Sequence, residues 1–284
     1  MNAYQSIVLG LIQGLTEFLP VSSSGHLLLG SIALNLPAPG LSLSVLFHLG
    51  TALATCVMLW KEISYLISSV LAPRRDGQRA RALAIVGFVA AASIPGAVVG
   101  IAFGDFLDAV FGSGMVAAAG LIITGFILWF GARRTAEAPA NGSHPVRVSR
   151  DVPLEPLSTV SLGRALIVGV CQAVAIIPGI SRSGTTITSG LITGMSREDA
   201  ARFSFLLALP AVLGGALLDY RDASLLGEVG VSGMGLLGAA VALFSGMFAL
   251  SAVFRVVRKG ELSRFAYYCW AVGAISLAWL ILKR

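Results

Sequence analysis

Apolar residues in this chain come in long runs, separated by short segments that hold most of the charge. A helix needs about 20 residues to cross a bilayer, with a range near 17–25. Six runs qualify, at about 42–60, 82–104, 115–132, 203–218, 233–254 and 266–282. The fourth is short, and the reading anchors its ends with Arg202 and Asp219. Two further apolar regions, 5–36 and 164–195, are broken near their middles by Pro, Gly and Ser. Their halves 5–19 and 164–178 would be roughly 22 Å long, short of a hydrocarbon core of about 30 Å. Each region therefore reads as a re-entrant helix–loop–helix hairpin. Residues 6–15 are largely apolar, yet no Lys or Arg precedes them and Glu17 follows. They are read as mature protein and not as a signal peptide.

Basic residues divide unevenly between the connecting segments. Lys61, Arg74, Arg75, Arg79 and Arg81, then Arg133, Arg134, Arg147, Arg150 and Arg164, then Arg255, Arg258, Lys259 and Arg264 fall on one side of six alternating spans. The positive-inside rule makes that side cytoplasmic. Asp105, Asp108, Asp219, Asp222 and Glu228 fall opposite, with Arg221 among them, and both termini come out external. Segment 135–161, rich in Pro and Gly, reads as a solvated linker that carries His144.

The two broken regions resemble each other. A shift of 159 residues superposes Gly10 on Gly169, Gln13 on Gln172, Ser22 on Ser181, Ser24 on Ser183 and Gly25 on Gly184. Three spans separate the hairpins, so they enter from opposite faces, the pattern of inverted-topology repeats. The predicted organisation is an all-α polytopic membrane protein with six transmembrane helices and two re-entrant hairpins. The first repeat is 1–132, the linker 133–162 and the second repeat 163–284.

Composition removes the soluble alternatives. The 284 residues are 56% hydrophobic and 12% charged, with a mean hydropathy of +0.86, whereas soluble domains carry about 25% charged residues. The pI near 9.7 does not imply a nucleic-acid partner, because the basic residues sit in loops between spans. Cys56, Cys171 and Cys269 lie far apart in apolar stretches and read as small buried hydrophobes.

The breaks carry the candidate chemistry. The first reads Gln13-Gly-Leu-Thr-Glu17-Phe-Leu-Pro-Val-Ser22-Ser23-Ser24-Gly25-His26, and the second Pro178-Gly-Ile-Ser181-Arg182-Ser183-Gly184-Thr185-Thr186. Gln13 and Glu17 share one helix face. Ionisable groups at this depth cost at least about 2.5–3.5 kcal/mol each. Glu17, His26 and Arg182 therefore call for a shared polar cavity at which both loop tips meet. Helix N-termini, the Arg182 fork, hydroxyls and glycines together suit a phosphate. Ser22 and Ser24 read equally well as plain helix caps. Glu17 would repel a phosphate unless a divalent cation, Mg²⁺ or Ca²⁺, lay between, held by Glu17 and Gln13. Ser23 with His26 one turn away supplies a nucleophile and a general base. His48 reads either as cavity lining or as an interhelical hydrogen-bond partner.

At these residues, and at His48-Leu-Gly-Thr51 and Arg202-Phe-Ser-Phe-Leu-Leu207, the chain resembles the undecaprenyl-diphosphatase family, known also for bacitracin resistance. The likeness covers nearly everything outside the linker. It implies removal of the terminal phosphate of undecaprenyl pyrophosphate in a bacterial plasma membrane. It also implies a divalent cation, an externally facing site and a homodimer. Glu17, His26 and Arg182 match the family's acidic, histidine and arginine residues. Ser23 matches its candidate nucleophile, and Ser181 and Thr186 its second-loop hydroxyls. Some members carry Glu where this chain has Gln13, and in the family His26's counterpart has also been taken as nucleophile. Two other classes compete. A lipid-phosphate flippase would use the same inverted repeats. A type-2 phosphatidic acid phosphatase needs a later histidine, and none follows His144.

Overall fold

In lipid every backbone N–H and C=O must be satisfied within the chain, so the apolar runs fold as helices. The computed structural model describes residues 2–34, 36, 41–72, 77–136, 157–225, 230 and 232–283. Most of the predicted linker, with His144, Arg147 and Arg150, lies outside the described residues, as do Arg74, Arg75 and Glu228.

The first half of the chain holds α1 (Ala3–Phe18), α2 (Ser23–Ala33), α3 (Leu41–Met58), α4 (Trp60–Leu71), α5 (Gln78–Ala102), α6 (Gly104–Phe111) and α7 (Gly114–Ala136). The second holds α8 (Leu162–Val174), α9 (Arg182–Ile192), α10 (Arg197–Leu225), α11 (Gly233–Lys259) and α12 (Ser263–Leu282). Among the described residues, α5, α7, α10, α11 and α12 are long and apolar enough to cross a membrane, and α3 with α4 forms an apolar pair bent by 72° that makes a sixth if it is counted as one span. The protein is an all-α polytopic membrane protein. At 16 and 13 residues, α1 and α8 are about 24 and 20 Å long, and each ends at a break.

Two predicted boundaries need correction. Segment 61–81 is not simply a loop, because α4 turns 72° away from α3 and runs to Leu71. Its exposed Trp60, Ile67 and Leu71 against buried Glu62 and Ser69 give it the two-faced character of a helix lying along a membrane surface. The short fourth span is a 29-residue helix, so Arg202 and Asp219 lie inside α10 and not at its ends. Arg202 pairs with Glu62 of α4 at 3.2 Å and with Glu198 at 3.5 Å, while Glu198 also holds Arg258 of α11 at 2.9 Å. These partners let charged residues remain helical.

α10 carries the main core, where Phe203, Phe205 and Leu207 are buried among Phe18, Ala54 and Ile187. Elsewhere small residues set the helix spacing, as expected where lipid offers no hydrophobic drive between helices. A Cβ on Gly10 of α1 would overlap the Gly238 carbonyl of α11, and one on Gly169 of α8 would overlap the Ala92 carbonyl of α5. Gly10 and Gly169 are the pair aligned by the 159-residue shift.

Candidate active site

Both hairpin tips are built alike. Ser22 caps α2, its Oγ accepting from the Gly25 amide at 3.4 Å, and Ser181 caps α9, its Oγ accepting from the Gly184 amide at 3.0 Å. The tips touch: a Cβ on Gly25 would lie 3.0 Å from Gly179, and one on Gly184 would lie 3.3 Å from the Pro20 side chain. Shifting either contact by 159 residues gives the other. Ser183 Oγ donates to the Leu19 carbonyl at 3.2 Å. Thr124 of α7 ties down the second tip, donating to the Gly179 carbonyl at 2.8 Å and accepting from the Ser181 amide at 2.9 Å.

Gly179 has φ +88°, and a Cβ there would overlap the Ala117 carbonyl. The left-handed backbone alone costs a larger residue about 1–2 kcal/mol. Gly179→Ala is therefore expected to lower the thermal unfolding midpoint in detergent and to displace the second tip. An unchanged melting curve would contradict this packing. Ser22 also has a positive φ, +70°, in a region that costs non-glycine residues of order 1–3 kcal/mol. That turn directs α2 so that its first residue faces α1.

The first residues of the two returning helices, Ser23 and Arg182, are related by the same shift and converge on Glu17. Ser23 Oγ donates to Glu17 Oε2 at 2.5 Å, and Arg182 Nη2 pairs with Oε1. Gln13 Nε2 donates to Oε2 at 3.1 Å from one turn earlier on α1. The Glu17 side chain is 4% exposed and that of Arg182 22%, so the carboxylate is the enclosed partner. A buried carboxylate without a counter-charge would be strongly destabilising, and Arg182 supplies the counter-charge. Glu17 and Arg182 line a cavity of about 10 Å³ with Thr51 and Thr55 of α3 and Ala208 and Val212 of α10.

Other expected residues lie apart from this cluster. His26 does not bond Ser23. Its Nδ1 is 2.9 Å from the Ser22 carbonyl and its Nε2 is 2.9 Å from the Tyr268 hydroxyl, with the two rings stacked. A carbonyl can only accept, so Nδ1 carries the hydrogen and Nε2 accepts from Tyr268. The expected Ser23–His26 pair is thus replaced by Ser23–Glu17. Thr186 donates to the Arg182 carbonyl at 2.8 Å and meets Ser204 of α10 at 2.5 Å, which anchors α9. Thr185 Oγ is buried without a hydrogen-bond partner among the described residues. Ser24 Oγ lies 3.4 Å from Ser22 Oγ. His48 meets Ser44 on its own helix at 3.3 Å. Tyr268, Thr124 and Ser204 were not among the expected residues. Tyr268 and Thr124 sit inside long apolar spans, where no motif marks them, and Ser204 lies in the Arg202–Leu207 stretch without having been given a role.

Among the described residues no group of three or more His, Cys, Asp or Glu could hold a metal. The donors near Glu17 are its carboxylate, the Gln13 amide and the Ser23 hydroxyl. A Mg²⁺-type ion commonly binds through one or two carboxylates plus substrate phosphates and keeps several waters. These residues fit such a partial shell and not an all-protein cage.

The model of the family "Bacitracin resistance protein BacA" matches residues 6–275. The chain belongs to this family. Named relatives agree with the match. Proteins called undecaprenyl-diphosphatase are 39% identical in Desulforapulum autotrophicum, over 98% of both chains, and 39% identical in Moorella thermoacetica, over the whole of both. One from Bacteroides fragilis is 33% identical over 98% of both chains. The whole cluster around Glu17, from Gln13 to Arg182, lies within the stretch that matches the BacA family.

Proposed function

We propose that this protein hydrolyses undecaprenyl pyrophosphate to undecaprenyl phosphate and inorganic phosphate, which recycles the carrier lipid for cell-wall synthesis and confers bacitracin resistance. The observation that carries the reading is Glu17, which holds a hydroxyl on one oxygen and a guanidinium on the other where the N-termini of α2 and α9 meet.

Ser23 gives its proton to Glu17 Oε2 as its Oγ attacks the terminal phosphorus. The bridging P–O bond breaks and undecaprenyl phosphate leaves. Water then attacks the phosphoserine phosphorus, the P–Oγ bond breaks, Glu17 returns its proton to Ser23 Oγ, and phosphate leaves with the water oxygen. Arg182 and the amides at the starts of α2 and α9 stabilise charge on the transferring group. His26 reaches the substrate only after its contact with Tyr268 opens. A divalent cation at Glu17 and Gln13 would neutralise charge on the pyrophosphate. The site faces the external side of a bacterial plasma membrane, the protein acts as a homodimer, and nucleic acid plays no part.

The test is phosphate release from C55 pyrophosphate by purified protein in detergent. Release is expected with Mg²⁺ or Ca²⁺ and is expected to fall at least about tenfold with chelator, since a metal supplies several kcal/mol of charge stabilisation. Turnover indifferent to chelator would remove the cation. Two oppositely threaded hairpins would also serve a lipid-phosphate flippase. A flippase alone would release no phosphate in detergent, where no gradient exists.

A further inference from the structure

The two hairpin tips are built alike but differ in one turn. Ser22 has φ +70° and ψ 105°, whereas Ser181, its mate across the 159-residue shift, has φ −73° and ψ 117°. The second is extended backbone that any residue adopts. The first is a conformation that a residue with a Cβ rarely takes and glycine takes readily. The helix cap is also longer in the first tip, 3.4 Å against 3.0 Å. The Ser22 turn needs another support.

That support comes from the next shifted pair. His26 corresponds to Thr185, whose Oγ has no hydrogen-bond partner among the described residues. In the second tip the Ser181 carbonyl accepts from the Thr185 amide at 2.9 Å. In the first tip the Ser22 carbonyl accepts from the His26 amide at 3.2 Å and also from His26 Nδ1 at 2.9 Å. Tyr268 of α12 donates its hydroxyl hydrogen to His26 Nε2 at 2.9 Å, and its ring stacks on the imidazole within 9° of parallel. Donation to Nε2 keeps the imidazole hydrogen on Nδ1, aimed at Ser22. The strained turn and the side-chain donor thus occur in the same tip, and the relaxed turn has a threonine where the donor would be.

The turn matters to the chemistry because Ser23 follows it. Relaxing Ser22 would start α2 in another direction and take Ser23 Oγ away from Glu17 Oε2, now 2.5 Å distant.

We infer that Tyr268 and His26 are positioning residues: together they hold the Ser22 carbonyl, and through it the strained turn that sets Ser23 against Glu17. The inference rests on the hydrolase reading above, with Ser23 as the attacking group. In this role neither side chain contacts the substrate.

The test uses the full chain in detergent with C55 pyrophosphate. Tyr268 is half-exposed, so replacing it opens no cavity in the core. Tyr268→Phe keeps the stacking and loses the hydroxyl. It is expected to lower kcat about threefold to tenfold, the span that one ordinary hydrogen bond corresponds to, with KM nearly unchanged. A glycine at position 22 would need no brace. Relative to Ser22→Gly alone, adding Tyr268→Phe is therefore expected to cost less than about twofold, because the two positions act on one turn. His26→Ala is likewise expected to cost much less in the Ser22→Gly background than in wild type. Wild-type kcat in Tyr268→Phe overturns the brace. So does a loss in either variant that Ser22→Gly leaves at full size, which would give that side chain a part in the chemistry itself. If wild-type protein in the same assay releases no phosphate, the hydrolase reading fails and the brace falls with it.

Discussion

Arg182→Ala is expected to abolish nearly all phosphate release while the protein still inserts in membranes. Two losses coincide in this variant. The guanidinium that would meet the developing phosphoryl charge is gone, and an arginine in that role contributes on the order of 10³–10⁵ to turnover. Glu17 also loses its counter-charge while remaining enclosed, so it neutralises by taking up a proton and can no longer receive one from Ser23. A fall of about 10³-fold or more in kcat/KM is expected, with a normal amount of protein in the membrane fraction. Arg182→Lys keeps a charge but not the planar fork, and is expected to recover only part of the rate. Because Arg182 and Glu17 touch, the double variant Arg182→Ala, Glu17→Gln should lose much less than the sum of the two single losses. Strict additivity, or near-normal turnover by Arg182→Ala, would remove this pair from the mechanism.

The pairing of Glu17 with Arg182 was legible because burying an isolated charge in lipid is costly and the broken segments placed both residues at similar depth. Hairpin lengths were legible for a similar reason, since 16 and 13 residues cannot cross the core. The bend before α4 was not read. Lys61 and Glu62 make its start look like a loop, and the helical period of Ile63, Leu66 and Ile67 becomes informative only once α4 is seen to turn 72° away from α3. The length of α10 was hidden because Arg202 and Asp219 read as anchors at the ends of a short span, and the partner that keeps Arg202 within the helix bundle, Glu62, comes from a distant part of the chain. The partner of Ser23 was missed for a subtler reason. Sequence spacing favours His26, one turn away on the same helix. The positive φ of Ser22 instead turns the start of α2 back toward α1, and nothing in a run of three serines announces which one makes that turn.

That reassignment gives the second large effect. Ser23→Ala is expected to lower turnover about as severely as Arg182→Ala, since it removes both the nucleophile and a hydrogen bond to Glu17, and residues that act as a unit fail together. His26→Gln is expected to be milder, because His26 is held by Ser22 and Tyr268 and not by Ser23. The chemical identity of the intermediate separates the two candidates. With substrate labelled at its terminal phosphorus, a rapidly quenched reaction should trap label on the protein as phosphoserine, which survives acid. Phosphohistidine would be lost in acid and kept in base. Acid-stable label in wild type that disappears in Ser23→Ala would place the bond at Ser23. Acid-labile label that survives in Ser23→Ala and vanishes in His26→Gln would transfer the nucleophile to His26. It would also require that imidazole to leave Tyr268 and swing toward Glu17 before chemistry begins.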